Sequence, residues 1–415
     1  MRIVLISDQE SSGGAAIAAT RLAAAFRDAG HEVARIVADS DGGEDAGHIV
    51  QAETLPLPIR AARYATPASF TQAWVRHQAG EGLARQLKAF SPQAINLHNV
   101  HGAARVGWSP DIATICMRHA PTLWTLHDAW SFTGRCAYTY DCRKFITGCD
   151  VTCPTPHEYP ALRPTRIAGA WLRRKEMYET NPILSAVAPS QWLADEARCG
   201  MWRDHRIEVI PNGLSLDMYH PHSRDWARQE LDLVTSQSVV LTVAERLGER
   251  RKGTDILIEA LENVSLPLTL VTMGKGTIRI RNPTITVRNL GYVASEHQKS
   301  LVYSAADLLI HPALVDNLPN VVMEAMSCGT PTLAFSVGGI PEMVHPGQSG
   351  WLALDVSPHA LATELTTAID DIRRGQDYRH SCRSIAEHDY SVALQADRYL
   401  QAFSSLANLP TDVSV

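Results

Sequence analysis

The sequence predicts an α/β protein made of two doubly wound parallel-sheet domains in tandem. Its 415 residues are too many for one ordinary hydrophobic core. Residues 2–38 have the order strand, glycine-containing turn, alanine-rich helix, strand, which is how such domains begin. Residues 238–335 repeat the alternation of short apolar runs with helical segments. The apolar content of 45% and charged content of 20% are those of a folded globular protein.

The first predicted domain opens with a strand over residues 2–8, a continuous apolar run of the kind that parallel sheets bury on both faces. A turn containing Gly13 and Gly14 leads into a helix over residues 15–29, which Gly30 ends. A second strand follows over residues 31–38. Further strands are predicted at residues 94–98, 122–126, 185–188 and 208–210.

The boundary between the domains is marked by residues 211–213, Pro-Asn-Gly, a strong turn signal. We therefore expect one domain over residues 1–205 and another over residues 206–391. The strands of the second domain are predicted at residues 238–243, 268–272, 284–287, 308–311 and 332–335. The C-terminal helix, within residues 392–415, is expected to pack back on the first domain.

Charge and hydropathy exclude some classes of protein. Residues 1–200 hold 20 basic and 19 acidic side chains, and residues 201–415 hold 18 and 25, so no basic footprint for nucleic acid is present. The first apolar run is short and ends at Asp8, which is unlike a signal peptide. The sequence contains no run of about 18 apolar residues, so we expect no membrane-spanning helix. A cytoplasmic protein is the resulting expectation.

Residues 311–331 place two carboxylates around a loop-to-helix junction. Asp316 lies in the predicted loop, and Glu324 lies about a turn into the helix that follows Pro319. Both side chains can reach a ligand at the helix N-terminus, where free N–H groups and the helix dipole favour an electron-rich group. On the pattern alone, a surface loop leading into a core helix explains the segment equally well.

The same stretch resembles the acid-x7-acid segment of the family 4 retaining glycosyltransferases. The resemblance implies the GT-B fold, in which two Rossmann-like domains face each other across a cleft. It also implies that Asp316, with Asn317 and Leu318, lies at the donor sugar, and that Glu324 hydrogen-bonds the ribose of the nucleotide. Asp316 stands where the family more commonly has Glu, and its side chain is shorter by one methylene group.

Arg246 and Lys252 follow the first strand of the second domain and can neutralise a diphosphate without a metal ion. Considered alone, the segment is more typical of a solvated basic loop. It resembles the Arg-x5-Lys-Gly pair of the same family, which implies that both side chains contact the donor diphosphate. The neighbouring Arg250 and Arg251 receive no role.

Gly13 and Gly14 lie where the first strand meets the first helix, so a ligand phosphate can approach the backbone there. We include both in the donor-binding set, although tight turns commonly use glycine pairs. The spacing is not Gly-x-Gly-x-x-Gly, which disfavours a nicotinamide dinucleotide site.

His127 and Asp128 follow a predicted strand, at the sheet edge where open α/β proteins bind ligands. A histidine there is often a packing or capping group. The family resemblance implies that His127 contacts the donor sugar near the reacting carbon, which makes it the catalytic candidate. Asp128 either orients the His127 ring or caps the next turn. His98 and His101 follow another strand and, with Asp128, are assigned to the acceptor side.

Four cysteines, Cys136, Cys142, Cys149 and Cys153, lie within 18 residues. Four thiolates on one loop are a ligand set for structural zinc, although no Cys-x2-Cys pair is present. Disulfides and unligated thiols are the alternatives. A second metal hypothesis concerns Asp39-Ser40-Asp41, whose Asp-x-Asp spacing can hold a metal-bound diphosphate. An acidic, glycine-containing turn after a strand is the much commoner explanation of that segment.

Residues 163–178 interleave basic and apolar side chains, which is compatible with a helix lying on an anionic membrane. An amphipathic helix packed against its own sheet is the alternative. The membrane interpretation gains interest because acceptors in the family are often lipid-linked.

Together these features resemble bacterial exopolysaccharide and colanic-acid-type transferases. The resemblance implies a retaining, metal-independent glycosyltransferase that uses a UDP- or GDP-linked sugar and a saccharide or lipid-linked acceptor, with no required cofactor. The alternatives are a GT-B nucleotide-sugar epimerase, which needs no acceptor, and a non-catalytic scaffold of a polysaccharide assembly complex.

Overall fold

The computed structural model describes residues 1–40, 49–51, 68–101, 108–233 and 236–408. It contains two compact units. The first comprises Met1–Pro211 and the chain from Ala393 onward, and the second comprises Asn212–Val392. Each unit is built on one parallel sheet, so the predicted α/β class with two doubly wound domains is confirmed.

The first unit has a seven-stranded sheet in the order β3-β2-β1-β4-β5-β6-β7. Its strands are β1 (Arg2–Gln9), β2 (Glu32–Asp39), β3 (Ile49–Gln51), β4 (Ala94–Leu97), β5 (Thr122–Thr125), β6 (Ser185–Ala188) and β7 (Ile207–Val209). Its first helices are α1 (Gly14–Asp28), α2 (Ala68–Phe90), α3 (Ile112–Met117), α4 (Lys144–Thr147), α5 (Pro164–Thr180) and α6 (Gln191–Arg198), with a 3₁₀ helix at Ala129–Phe132.

The second unit repeats this winding in a six-stranded sheet, in the order β10-β9-β8-β11-β12-β13. Its strands are β8 (Ser238–Arg246), β9 (Leu268–Lys275), β10 (Ile285–Asn289), β11 (Leu308–His311), β12 (Thr332–Phe335) and β13 (Gly350–Ala353). Its helices are α7 (Arg224–Glu230), α8 (Thr254–Glu262), α9 (Glu296–Ala305), α10 (Asn320–Ser327), α11 (Pro358–Arg373) and α12 (Arg379–Asp389), with 3₁₀ helices at Arg250–Lys252 and Ile340–Glu342.

Both sheets form because their central strands are continuous apolar runs. Ile3 and Leu5 in β1 are at most 1% exposed, and Leu308 and Ile310 in β11 are fully buried. In each sheet the winding reverses direction between two neighbouring strands, β1 and β4 in the first and β8 and β11 in the second. The carboxyl ends of strands at such a switch point are where open α/β sheets bind ligands.

The last helix, α13 (Val392–Ala407), contributes to the core of the first unit. The ring of Phe26 in α1 lies 6.4 Å from that of Tyr399 and 6.5 Å from that of Phe403, measured between centroids. Tyr399 Oη and Thr125 Oγ1 share a hydrogen bond of 2.8 Å. The C-terminal helix thus contacts both a helix and a strand of the first unit.

Candidate functional site

The second unit gathers three basic side chains around one buried carboxylate. Asp316 lies in the loop between β11 and α10, and 6% of its surface is exposed. Lys252 Nζ lies 2.7 Å from Asp316 Oδ2, and Arg251 Nη1 lies 3.2 Å from the same oxygen. His311 Nε2 lies 3.3 Å from it. We call these four residues the Asp316 cluster.

The basic neighbours keep Asp316 ionised. Burial alone would raise the pKa of its carboxyl, but the positive charges of Lys252 and Arg251 outweigh burial and hold that pKa well below its usual range. Burial lowers the pKa of His311, so its ring is neutral at pH 7. Arg251 has a second carboxylate partner, since its Nε lies 3.0 Å from Glu249 Oε1.

Two glycines allow the loops around Asp316 to approach each other closely. Gly253 has a φ of +67°, and a Cβ there would lie 1.7 Å from Pro312 O. Gly338 has a φ of +59°, and a Cβ there would lie 2.0 Å from Asp316 O. The same Asp316 oxygen accepts a hydrogen bond of 3.1 Å from the Gly339 N–H. Both positions therefore need glycine to place Lys252 and Asp316.

Glu324 is buried on α10, where the hydroxyl of Tyr303 donates a hydrogen bond of 2.8 Å to its Oε2. Burial, together with the charge of Glu324, raises the pKa of Tyr303 well above its usual value, so the tyrosine remains a donor. The Asn317 N–H donates to Asp316 Oδ1 at 3.1 Å. The side chain of Leu318 is 6% exposed and belongs to the hydrophobic core.

The structure brings Lys252 to Asp316, whereas Arg246 ends β8 with an exposed side chain. Arg251 and His311 also belong to the cluster, and neither was predicted from the sequence. Arg251 directly precedes Lys252, and His311 is the last residue of β11. The only signal for His311 was its position at the carboxyl end of a strand.

The first unit joins two histidines across neighbouring strands. His98 follows β4 and His127 follows β5, and the two strands are paired in the sheet. His98 Nδ1 lies 2.8 Å from His127 Nε2. Burial lowers the pKa of His98 well below its usual value and that of His127 to about 4. Both rings are therefore neutral at physiological pH.

Asp128 forms its hydrogen bonds with residues other than its sequence neighbour His127. Its Oδ1 accepts from the Trp130 N–H at 2.9 Å, which caps the 3₁₀ helix, and its Oδ2 lies 3.0 Å from His101 Nε2. The amide of Asn99 donates to the same oxygen at 3.3 Å. The charge of Asp128 outweighs burial and raises the pKa of His101, and His101 in turn holds the pKa of Asp128 below its usual value.

Gly13 and Gly14 lie at the N-terminus of α1, at the carboxyl end of β1. Gly13 occupies the N-cap position with a φ of +88° and provides no side-chain cap. A Cβ at Gly13 would meet no atom within 4 Å. The backbone is thus approachable from outside at the switch point of the first sheet.

The four clustered cysteines are free thiols. The Gly134 N–H donates to Cys149 Sγ at 3.2 Å, and burial raises the pKa of Cys136 to about 12. In the part of the chain that the structure describes, which includes Cys136, Cys142, Cys149 and Cys153, no three His, Cys, Asp or Glu side chains are placed to hold a metal ion. Structural zinc stays a prediction.

The amphipathic segment at residues 163–178 forms α5, whose apolar face is buried in the first unit. Ile167 and Trp171 are at most 7% exposed, and Arg174 is buried with them. Arg174 Nη1 donates to Thr133 O at 2.6 Å and to Gly134 O at 2.9 Å. Packing against its own unit therefore accounts for the apolar side chains, and membrane contact stays a prediction that depends on the basic outer face.

The Asp-x-Asp hypothesis concerns residues that the structure covers only in part. Asp41 and the side chain of Asp39 lie outside the described residues. Ser40 Oγ donates to Glu10 Oε2 at 2.6 Å. Metal binding at this segment stays a prediction. Among the described helices, none combines the length and apolar character that a membrane span requires.

Two family models match the chain. The model described as Glycosyltransferase Family 4 matches residues 12–218, and the model described as Glycosyl transferases group 1 matches residues 237–371. A relative named as a colanic acid biosynthesis glycosyl transferase, WcaC of Escherichia coli, is 27% identical over 217 residues, covering 51% of this chain and 51% of that protein. The D-inositol 3-phosphate glycosyltransferase of Mycolicibacterium smegmatis is 32% identical over 212 residues, covering 48% and 47%. The chain thus spans about half the length of the curated relatives that it matches.

Similarity of structure extends over nearly the whole chain. The solved structure of Anabaena HepE in complex with UDP and glucose has a TM-score of 0.65 at 20% identity. The match covers 98% of this chain and 100% of that chain. At this identity the similarity shows the fold, two Rossmann-like domains of the GT-B type. The chain belongs to the family 4 glycosyltransferases of the group 1 type.

Proposed function

We propose that this protein is a retaining, metal-independent hexosyltransferase. It moves a hexose-type sugar from a UDP- or GDP-linked donor to a saccharide or lipid-linked acceptor in the synthesis of a cell-surface polysaccharide or glycoconjugate. Family membership supports glycosyl transfer. The name of the WcaC relative supports a polysaccharide product, and the UDP and glucose of the HepE complex support a nucleotide-sugar donor. Cytoplasmic location and peripheral membrane contact stay predictions.

The Asp316 cluster is the observation that carries the proposal. It lies at the carboxyl ends of β8 and β11, the switch point of the second sheet. Lys252 and Arg251 are basic groups already held by short contacts, so they need little reordering to receive a diphosphate. Positively charged side chains that contact the leaving diphosphate stabilise its negative charge and so lower the barrier to breaking the sugar–phosphate bond. In this mechanism side chains supply the charge that a divalent ion supplies in other enzymes.

The remaining residues take the roles that the family resemblance implies. Lys252 and Arg246 hold the leaving diphosphate, with Arg251 as an additional cation. Asp316 and Asn317 orient the sugar, and Glu324 accepts from the ribose hydroxyls.

In the first unit, His127 donates to the sugar, and the sheet edge that carries His98, His101 and Asp128 forms the acceptor side. Backbone N–H groups at Gly13 and Gly14 bind the phosphate-bearing ligand. No side chain is assigned as a covalent nucleophile, which is consistent with attack on the sugar from the face that the diphosphate leaves.

Calorimetry with UDP, GDP, ADP and dTDP, first in EDTA and then with magnesium, tests the donor site. We expect one diphosphate to bind at least about tenfold more tightly than the others, the difference that one lost base contact of about 1.4 kcal/mol produces, and we expect EDTA to leave that binding unchanged. Binding only with magnesium would contradict metal independence. Absence of binding to all four would favour the scaffold alternative.

The matching nucleotide sugars are then incubated with and without a saccharide acceptor. Transfer that requires the acceptor, with the anomeric configuration retained in the product by proton NMR, is the expected result. Conversion of the donor alone into an epimer would identify the epimerase alternative, and an inverted product would contradict retention.

A further inference from the structure

Buried His98 and half-buried His127 of the first unit meet edge to edge. Their ring centroids are 5.1 Å apart and their planes differ by 19°, while His98 Nδ1 and His127 Nε2 are only 2.8 Å apart. Nearly coplanar rings whose nitrogens are this much closer than their centroids share one N–H···N hydrogen bond in the ring plane. Stacking of ring faces does not produce this geometry.

Only one proton can lie in that bond. Burial lowers the pKa of both histidines, and the charge of Arg35 lowers the pKa of His98 further. At His127 the charge of Asp128 opposes burial, while that of His101 reinforces it, and the pKa remains near 4. Two neutral imidazoles can form the bond in only two ways, with either His98 or His127 as the donor.

The remaining nitrogen of His98 distinguishes these two arrangements. His98 Nε2 is buried and has no hydrogen-bond partner among the residues that the structure describes. A buried N–H without a partner is rarer in proteins than a buried acceptor without one. This comparison favours the arrangement in which the His98 proton is on Nδ1 and is donated to His127 Nε2. In that arrangement the Nε2 lone pair of His127 is occupied, and His127 carries its own proton on Nδ1.

We propose that His98 is a positioning residue that fixes His127 as the neutral Nδ1–H tautomer, so that His127 acts on the sugar as a hydrogen-bond donor and not as a base through Nε2. The catalytic part of this inference rests on the proposed function. The group that receives the Nδ1–H is a hydroxyl or ring oxygen of the donor sugar. Attack assisted by the leaving diphosphate requires no side-chain base, which agrees with a histidine held as a donor.

The tautomer can be measured without any activity. Protein labelled with ¹⁵N in its histidine rings is studied by long-range proton–nitrogen NMR, and the His127 signals are those absent from His127→Asn. We expect wild-type His127 to carry its proton on Nδ1. His98→Asn places an amide N–H where Nδ1 was and should preserve this tautomer, whereas His98→Leu should give a mixture. Wild-type His127 protonated on Nε2, or a His98→Leu spectrum equal to wild type, would overturn the proposal.

Kinetics then test the consequence for catalysis. We expect His98→Leu to lower kcat by at least about tenfold and to leave the donor KM within about twofold of wild type. The reason is that the substitution disturbs the orientation of the His127 ring. His98→Asn should keep kcat within about threefold of wild type, and thermal melting of both variants checks their folding. Equal losses in the two variants would overturn the positioning role. If wild-type protein transfers no sugar from any donor, the proposed function fails, while the NMR result still decides the tautomer.

Discussion

Lys252 and Arg251 stabilise the ionised carboxylate of Asp316, and the stability of the second unit therefore depends on pH. The folded pKa of Asp316 is below its unfolded value of about 3.9. The stability that its ionisation contributes is therefore fully present above about pH 4 and is lost as the pH falls through the folded pKa.

Asp316→Asn tests this linkage. Removing one partner of a buried pair costs about 3 kcal/mol, which lowers the thermal midpoint at pH 7 by roughly 6–12 °C for a unit of this size. The gap between wild type and variant should narrow below about pH 4, as wild-type Asp316 becomes protonated. A gap that is constant down to pH 3 would show that the ion pairs do not stabilise the unit.

Lys252 is the cation nearest to Asp316, at 2.7 Å. We expect Lys252→Ala to lower kcat by at least about tenfold, because one lost contact to a leaving group typically has an effect of this size or larger. Lys88→Ala is the matched control, since Lys88 is exposed on α2 in the other unit. Steady-state kinetics at saturating donor provide the measurement, and wild-type turnover in Lys252→Ala would remove the phosphate assignment.

Glu324 tests the ribose contact. Glu324→Ala should raise the donor KM by about tenfold or more with kcat within about threefold, since a hydrogen bond to a charged group contributes about 1.5–3 kcal/mol. Tyr303→Phe removes only the hydroxyl that holds Glu324 Oε2 and should raise KM by less. An unchanged KM in Glu324→Ala would contradict the assignment.

At the residue scale, the sequence identified side-chain types more readily than contacts. Lys252 and Asp316 are 64 positions apart, and His98 and His127 are 29 apart, so local spacing cannot show that their atoms meet. The Arg246 prediction followed motif spacing, whereas Arg251 reaches Asp316 because the 3₁₀ turn at Arg250–Lys252 directs it there.

Among the secondary-structure elements, the loop that carries Lys252 depends most on a glycine. Gly253→Ala would place a Cβ against the carbonyl oxygen of Pro312 in left-handed backbone. We expect a thermal midpoint lower by at least about 5 °C and a loss of donor binding. Gly248→Ala is the matched control, because a Cβ at Gly248 would have no atom within 4 Å. It should change the thermal midpoint by no more than about 1 °C. Equal effects of the two changes would contradict a steric requirement at Gly253.

Strand prediction succeeded for the buried central strands and for the edge strands β7 and β10, and it missed the short strands at the other two edges. The bounds of β11 and β12 agree with the predicted residues 308–311 and 332–335. The sequence did not predict β3 and β13, which have three and four residues and lie at the ends of their sheets. Short edge strands carry little periodicity, so they form because a neighbouring strand offers hydrogen bonds.

At the scale of the whole molecule, α13 belongs to a unit from which it is remote in sequence. A chain that stops after Val392 would lose the Tyr399 hydrogen bond to Thr125 and the aromatic contacts to Phe26. We expect faster cleavage within Met1–Pro211 in limited proteolysis and a lower thermal midpoint. A chain that stops after Asn408 retains the helix and should match the 415-residue chain. Equal protease resistance of both chains would contradict a stabilising role for α13.

The sequence predicted two doubly wound domains because the hydrophobic pattern repeats, and this architecture is confirmed. The packing of α13 on α1 was an expectation without residue-level support, since nothing local to residues 392–407 specifies Phe26 as a partner. Such long-range packing depends on the shape of a completed core.

The place of α13 also has a consequence for how the protein is made. A ribosome delivers domains from the N-terminus, so an uninterrupted domain can fold as it emerges. Here the last helix of the first unit emerges only after all of Asn212–Val392 has been synthesised. Until then the nascent chain lacks Tyr399 and Phe403 as partners of Phe26, and the apolar side chains of its first unit can bind chaperones or other nascent chains. Folding of the first unit is therefore completed only after the unit whose sequence interrupts it has been synthesised.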